Sequence, residues 1–541
     1  MKNNQIILSL LFLSFQISLG QSVFLKNFSI TKFDTATSPP SNSVSHTSVN
    51  NSSIYIGTGN GLAKSIDGGR NWFSFKTDAA FAYSGVFAIS TYKDTVWTAM
   101  GYEKNVNGSS VQTGGGYSIS FDAGNTWQHI EQALDQRGDS IISYCPPGYP
   151  CVNDSIRILP VIVPEQNVTF DISITSGSVW IASWASSLRK STDNGHTWQR
   201  ILLPLDNMNS ISPIDTLYSF APNDLDKQKR IFKNFDPRQN NNLLAFSVYA
   251  VSPDTIWCGT ADGVNRSTDS GTSWVKMNHQ NQAAPILGNW VISIKEQRFS
   301  SIKRLWTTNW RAQDNREEFG VSYSDDFGQS WINCLHGVRA YGFAFKDSIA
   351  YIATEDGIYR TNDGGKNFIR ISDLADHSSH QYIYSAKVYS VDVIGDSVYV
   401  GTNEGFARTI DNDENQFGKN WTIYRTFASV GTSTETYAYP NPFAPSTALP
   451  AADAYVRIHY GKKSDNHNST GNRNVTIEIF DFGMNRVRTL LNNATRPDNL
   501  ELDELWDGRD EKGIVVANGV YFYMVKTDNN KPAYGKILVL Q

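Results

Sequence analysis

The chain has 541 residues, with 47 Lys and Arg against 52 Asp and Glu, a formal net charge of −5, 12% aromatic residues, 40 Gly and 14 Trp. That length exceeds one ordinary core unless the core is repetitive. The near-balanced charge argues against nucleic acid or an anionic membrane surface as the main partner, and 40% hydrophobic residues at low net charge exclude a disordered chain.

The first element is an export signal. Lys2 precedes an apolar stretch from Ile6 to Leu19, which ends in Ser18-Leu19-Gly20-Gln21. A positive start, a short apolar core and small residues at the cut predict a signal peptide over 1–20. The apolar core is short against the ~20 residues needed to span a bilayer. No Cys follows the cut, so lipid attachment is not expected, and no later segment approaches spanning length.

A repeated turn then dominates the chain. Ser65-Ile-Asp67-Gly-Gly69-Arg-Asn-Trp72 returns as Ser120-Phe-Asp122-Ala-Gly124-Asn-Thr-Trp127 and as Ser191-Thr-Asp193-Asn-Gly195-His-Thr-Trp198. It recurs at Ser267–Trp274 around Asp269, at Ser324–Trp331 around Asp326 and at Thr361–Phe368 around Asp363. A degenerate seventh copy runs from Thr409-Ile-Asp411 to Trp421. The carboxylate can accept N–H groups of its own turn, and Gly two residues later supplies a positive φ. The aromatic residue opens the next strand and inserts a large ring between sheets.

Two strands precede each turn, as in Asp254–Thr260 and Val264–Ser267, or Asp396–Thr402 and Phe406–Thr409. A further strand lies on either side, giving four per unit. Such units cannot bury their faces alone, so the repeat predicts an all-β fold with a closed seven-bladed β-propeller over 21–429. An open six-bladed ring with one box outside it is the alternative. Val23–Ile30 is a candidate strand to close the ring.

These turns resemble the Asp-box, or bacterial neuraminidase repeat, of sialidases, sortilin-type domains and related propellers. The resemblance covers roughly Ser45 to Phe427. It implies that Asp67, Asp122, Asp193, Asp269, Asp326, Asp363 and Asp411 fold turns away from any active site. Sialidases also carry Arg-Ile-Pro before the first box. Nothing before Ser65 matches it, and Arg157-Ile-Leu-Pro160 lies after the second box, so sialidase activity is not expected.

In a propeller the boxes share one face with the turns between first and second strands. Here those turns are short, as at Lys93-Asp94, Pro253-Asp254 and Gly395-Asp396. The opposite face receives the long insertions Gly101–Gly116, Glu131–Asn167, Leu202–Asn242, Asn278–Asn289, Asn309–Gly320 and Ser372–Lys387. Long loops on one rim of a rigid scaffold are where binding concentrates. On that rim Tyr102, Trp184, Trp290, Trp310 and Tyr341 are candidates for stacking on sugars, unless they pack beneath the loops. Asp262, Glu355 and Glu404 are candidate polar partners. Asp171 and other carboxylates reach the same rim, but no pair can be singled out for glycosidase chemistry, so no catalytic residue is assigned. The nine His form no metal-spaced cluster, and no metal or cofactor is expected.

Cys145-Pro-Pro-Gly-Tyr-Pro-Cys151 holds either a local disulfide, which an oxidising compartment favours, or two thiols. Cys258 and Cys334 read as buried packing residues.

After Phe427 the pattern changes. A Gly/Ser/Thr-rich linker, 430–438, leads into about a hundred residues of short alternating strands, 439–541. The expected strands are Val456–Tyr460, Val475–Phe480, Val487–Leu491, Val520–Lys526 and Lys536–Leu540, read as an Ig-like β-sandwich. Tyr439-Pro-Asn-Pro-Phe443, Ile477–Gly483, Trp506-Asp-Gly-Arg-Asp510 and Gly519-Val-Tyr-Phe-Tyr523 resemble the flagellar-hook-capping-type Ig-like domain that serves type IX secretion as a C-terminal sorting domain. The polar stretch Gly461–Asn474 departs from that pattern. The resemblance implies a bacterial secreted or cell-surface protein whose tail meets an outer-membrane secretion machinery. Its expected partner is an extracellular glycan or protein bound at the long-loop face; the alternative is a glycoside hydrolase or lyase acting there.

Overall fold

Period-two alternation with Gly-rich punctuation yields strands throughout; the described residues contain two short 3₁₀ turns and no α-helix. The computed structural model describes residues 35–76, 78–81, 83, 85–144, 155–215, 218–220, 230–232, 235–379, 381–426, 436–445, 455–461, 472–497, 502–528 and 532–540. The expected signal peptide, Val23–Ile30, Cys145 and Cys151 lie outside them.

Among the described residues, seven antiparallel sheets of four consecutive strands follow in chain order, two of them extended by a short outer strand at Thr35–Ala36 and Ser210–Ile211. The innermost strands are Val44–Asn50, Gly85–Tyr92, Thr169–Ile174, Ala245–Ala250, Trp290–Phe299, Ala340–Lys346 and Val388–Ile394. The apolar cores lie between neighbouring blades: one buried cluster at each successive interface, including one that joins the seventh blade to the first through Tyr399, Phe406, Val44 and Trp72. That last interface repeats the geometry of the others. A Cβ on Gly401 would meet Val44 Cγ1 at 2.8 Å, as one on Gly57 would meet Val86 and one on Gly259 Val291, both at 2.7 Å. Thr47 Oγ1 donates to Asp392 Oδ2 at 2.8 Å across the same junction. The ring is closed.

The boxes are built alike. In the first six, the Ser or Thr hydroxyl donates to Asp Oδ1 at 2.7–2.9 Å and accepts the Gly N–H at 2.7–3.0 Å. The same Oδ1 accepts the N–H four residues on at 2.8–3.0 Å. The hydroxyl and N–H of Thr197 hold the Asp193 carboxyl down at about 2. Asp411 differs. Its Oδ2 accepts from Arg360 Nε at 2.6 Å and from the Tyr351 hydroxyl, so it ties the seventh blade to the sixth instead of closing its own turn.

Each box also rests on the preceding blade. A second-strand aromatic, such as Trp97, Trp180 or Trp257, lies under the box Gly of the next blade. In the first, third and fourth blades the basic residue just before the box Ser reaches the following box carbonyl: Lys64 Nζ to Ala123 O at 2.6 Å, Lys190 Nζ to Ser270 O at 3.2 Å and Arg266 Nη1 to Phe327 O at 2.5 Å. The box aromatics Trp72, Trp127, Trp198, Trp274, Trp331, Phe368 and Trp421 pack backward into the same interfaces.

The stretch Gly101–Gly116, expected as a loop, is a long hairpin of Thr95–Val106 and Ser109–Ser120. Its turn is Asn107-Gly108, with φ of 53° and 85°, the sequence that best tolerates a two-residue hairpin turn. The insertions at 131–167, 202–242 and 372–387 carry small two-stranded ribbons.

Beyond the ring, a three-stranded sheet (Thr436–Tyr439, Val456–Tyr460, Leu502–Trp506) faces a four-stranded one (Arg486–Pro497, Asn472–Phe480, Gly519–Thr527, Ala533–Val539) across one core. Tyr439–Phe443 leads along the outer edge of the last strand, with Phe443 N–H donating to Leu538 O at 2.8 Å. The segment covers an edge that would otherwise present unpaired backbone groups.

Candidate functional site

Every innermost strand carries a β-bulge at its start, on the long-loop side. The bulged residues are Ser45, Phe87, Phe170, Phe246, Ile292, Tyr341 and Tyr389. A bulge re-aims a side chain, and the same device in each blade gathers these residues at the mouth of the central channel.

The result is an aromatic arc. Phe87 contacts Phe170 at 6.3 Å between centroids, Phe170 contacts Phe246 at 5.9 Å, and Phe246 contacts both Trp184 and Trp290, at 5.3 and 5.4 Å. Trp290 is the cross-strand partner of Trp310. Trp310 meets Tyr341 at 5.8 Å, and Tyr341 meets Tyr389 at 5.5 Å. All of these rings are half-buried. Four of the five expected aromatics, Trp184, Trp290, Trp310 and Tyr341, therefore belong to one structure. Tyr102 stands apart on the hairpin of the second blade, stacked on Tyr83 at 4.4 Å.

The three expected carboxylates part company. Asp262 is paired with buried Lys276 at 2.5 Å and accepts from Asn278 at 3.1 Å, so it holds its own turn. Glu404 is buried and paired with Arg425 at 3.2 Å. Burial raises its carboxyl despite Arg425 and Arg457. Neither carboxylate is free to meet a ligand. Glu355 alone stays accessible, at 3.7 Å from Arg339, whose guanidinium lies over the Trp310 ring.

Deeper in the channel lie Lys295 and Asp392, which sequence reading passed over, and Asp171, which it placed at the rim. Lys295 Nζ approaches Asp392 Oδ1 at 3.7 Å and donates to Phe343 O at 3.1 Å. Burial pushes Asp171 up to about 7, although it accepts the N–H groups of Val248 and Ile172 at 2.9 Å. Burial likewise raises Asp392, against the opposing charge of Lys295. Among the described residues no cluster of His, Cys, Asp and Glu could hold a metal ion. Among the described residues the buried thiols of Cys258 and Cys334 are unpaired, and burial pushes both up.

The last propeller strand, Trp421–Tyr424, ends on this same face, so the C-terminal sandwich leaves from it and packs beside the sixth and seventh blades. Tyr382 packs against the sandwich core. Arg496 lies 4.1 Å over the Tyr384 ring, and Arg425 Nη1 faces Asp503 Oδ2 at 3.7 Å.

Closed ring, bulged inner strands and aromatic mouth define a β-propeller with a secondary sandwich. No protein-family model matches the chain, and no curated protein matches it. Among solved structures it is similar to YCF48 bound to D1 peptide, at 12% identity over 70% of this chain and 95% of that one, with a TM-score of 0.39. It is also similar to PorZ, a bacterial surface component of the type-IX secretion system of Porphyromonas gingivalis, at 12% identity over 92% and 75%, with a TM-score of 0.28. A third is the extracellular domain of the one-component system BT4673 from B. thetaiotaomicron, at 11% identity over 90% and 78%, with a TM-score of 0.31.

Proposed function

We propose that this chain is a non-catalytic recognition protein of the bacterial cell exterior, of the Asp-box propeller class, which binds an extracellular glycan or protein at its long-loop face. The observation that carries this reading is the aromatic arc across six of the seven blades at the channel mouth. Flat, half-buried rings at fixed spacing offer stacking surface at little entropic cost. Glu355 and Arg339 supply polar contacts beside Trp310. The sandwich serves as the export or anchoring tail, and the apolar N-terminus as the export signal. Among the described residues no helix is long and apolar enough to cross a membrane.

The test is a glycan and peptide array probed with the full chain, followed by Trp184→Ala and Trp310→Ala. Each variant keeps its fold and loses about tenfold in affinity for any ligand the array identifies. Unchanged affinity in both removes the arc from recognition. A glycoside hydrolase or lyase is the second reading, favoured only by the raised carboxyls of Asp171 and Asp392 in the throat. Release of reducing sugar that disappears in Asp171→Asn would establish it instead.

A further inference from the structure

The opposite face, built from the boxes and the short turns, carries a cleft of about 420 Å³ between the fourth and fifth blades. Ser252, Thr255 and Trp257 line it from one blade, and Glu296, Arg298, Lys303 and Phe327 from the other.

Phe327 is anomalous. It occupies the residue after the box Asp, where the other regular boxes place Gly68, Ala123, Asn194, Ser270 and Gly364. Its φ is 63°, a left-handed conformation that is unfavourable for a bulky side chain. Its box makes the same hydrogen bonds as those with small residues there. The strain therefore does nothing for the turn, and the ring it presents is 45% exposed. Such outliers persist where they serve something other than the fold. The ring is held in place: Trp257 meets it edge-on at 5.3 Å, and the Arg266 guanidinium stacks on it at 4.5 Å while donating to Phe327 O at 2.5 Å.

The polar lining is rich in donors. Lys303 is exposed and has no acidic partner among the described residues. Arg298 pairs with Glu296 yet leaves over half of its side chain open. Ser252 Oγ accepts the N–H groups of Asp254 and Thr255, which leaves its proton to donate. Among the described residues the buried indole N–H of Trp257, like that of Trp97 in the second blade, has no acceptor, whereas Trp180 and Trp306 donate to Ser178 Oγ and Gln297 Oε1. Glu296, already neutralised by Arg298, is the one carboxylate in the lining.

We propose that this cleft binds a carboxylate-bearing sugar, a uronic acid residue of an acidic glycan. One face of the ring lies on Phe327, its carboxylate faces Lys303 and Arg298, and its hydroxyls meet Ser252 and Thr255. None of these residues belongs to the aromatic arc, so the two sites stand or fall separately.

Calorimetric titration of the full chain with trigalacturonate tests this, with maltotriose as the neutral ring and inorganic phosphate as the plain anion. Trigalacturonate binds at least about tenfold more tightly than either. Phe327→Asn, which places there the residue found in the third box, weakens it about tenfold and leaves the melting temperature unchanged or higher, because strain is relieved. Lys303→Gln weakens it and flattens its salt dependence. Absence of trigalacturonate binding, equal binding of phosphate, or undiminished binding by Phe327→Asn overturns the proposal. Binding lost in Trp184→Ala but kept in both cleft variants overturns it as well.

Discussion

The box glycines carry two burdens that three substitutions separate. Gly271 has a φ of 89°, and a Cβ there would stand 2.6 Å from Trp180 Cη2 in the preceding blade. Gly337 has a φ of 80° with nothing within 4 Å of its Cβ position, and Gly177 has neither constraint. A left-handed Ala costs about 1–2 kcal/mol, offset by ~0.4–1 kcal/mol from the stiffer unfolded chain. Gly337→Ala is therefore expected to destabilise by about 0.5–1 kcal/mol, and Gly177→Ala to be neutral or slightly stabilising. Gly271→Ala adds overpacking against an indole fixed between blades, worth about 1–3 kcal/mol, for a total of about 1.5–4 kcal/mol. Urea unfolding followed by tryptophan fluorescence reads the three midpoints. Equal shifts for Gly271→Ala and Gly337→Ala would refute the claim that the box turn is seated on its neighbour's ring.

Two further outcomes follow from the same geometry. Lys190→Met keeps the stem over Trp180 but strips the Ser270 carbonyl of its donor, so the urea midpoint falls by the equivalent of about 1–2 kcal/mol. Lys104→Met, at an exposed ion pair with Glu165, leaves it nearly unchanged because solvent screens the pair; a reversed order contradicts the inter-blade staple. Asp171 titrates near 7 in the folded chain against an ordinary 3.8. Between those values the folded chain keeps a proton that the unfolded chain has released, so stability declines as pH rises from about 4 to 7. Asp171→Asn removes that decline, at most about 4 kcal/mol. Parallel melting profiles from pH 4 to 8 for variant and wild type would show that burial does not hold the proton there.

The repeated unit was legible because the box has a fixed spacing between carboxylate, glycine and aromatic, and the fold follows from repeating it. The five expected sandwich strands were legible from their alternation, whereas Thr436–Tyr439 and Leu502–Trp506 were not anticipated. The site was only half legible. Trp290 and Trp310 border long loops, Trp184 follows a second strand and Tyr341 opens a first strand on the same rim, and all four were found. Phe87, Phe170, Phe246 and Tyr389 were missed, since an aromatic residue at the start of an alternating strand reads as core until a bulge turns it to the channel. The recurring Lys or Arg before the box Ser or Thr was present in the sequence at Lys64, Lys190, Arg266, Arg360 and Arg408, and would have signalled the staples. Asp262 and Glu404 could not be sorted from accessible carboxylates, because their partners Lys276 and Arg425 come from other strands.

The sandwich meets the propeller through charges rather than apolar surface alone, and that makes its docking dependent on pH. Glu404 is buried facing Arg425, Arg457, Asp503 and Glu504. Asp503 accepts from His459 Nδ1 at 3.0 Å and Tyr439 at 2.7 Å, which together with Arg425 keep its carboxyl low despite burial. Burial raises Glu404, and it pushes Glu504 up to about 7. Arg425→Met removes the cation shared by Glu404 and Asp503, and stripping one partner from a buried pair costs about 3–5 kcal/mol. Glu504, pushed up to about 7, holds a proton at pH 5 and has lost it at pH 8, and burial makes Glu404 take one up more readily at the lower pH, so the buried negative charge left without Arg425 is smaller at pH 5. The variant is thus expected to keep the wild-type maximum dimension in small-angle scattering at pH 5, and to lengthen at pH 8 with unchanged tryptophan fluorescence. Lengthening to the same extent at both pH values would mean that charge is not what seats the sandwich. No lengthening at either would mean that Tyr382 and the Arg496–Tyr384 stack suffice to hold it against the face that bears the aromatic arc.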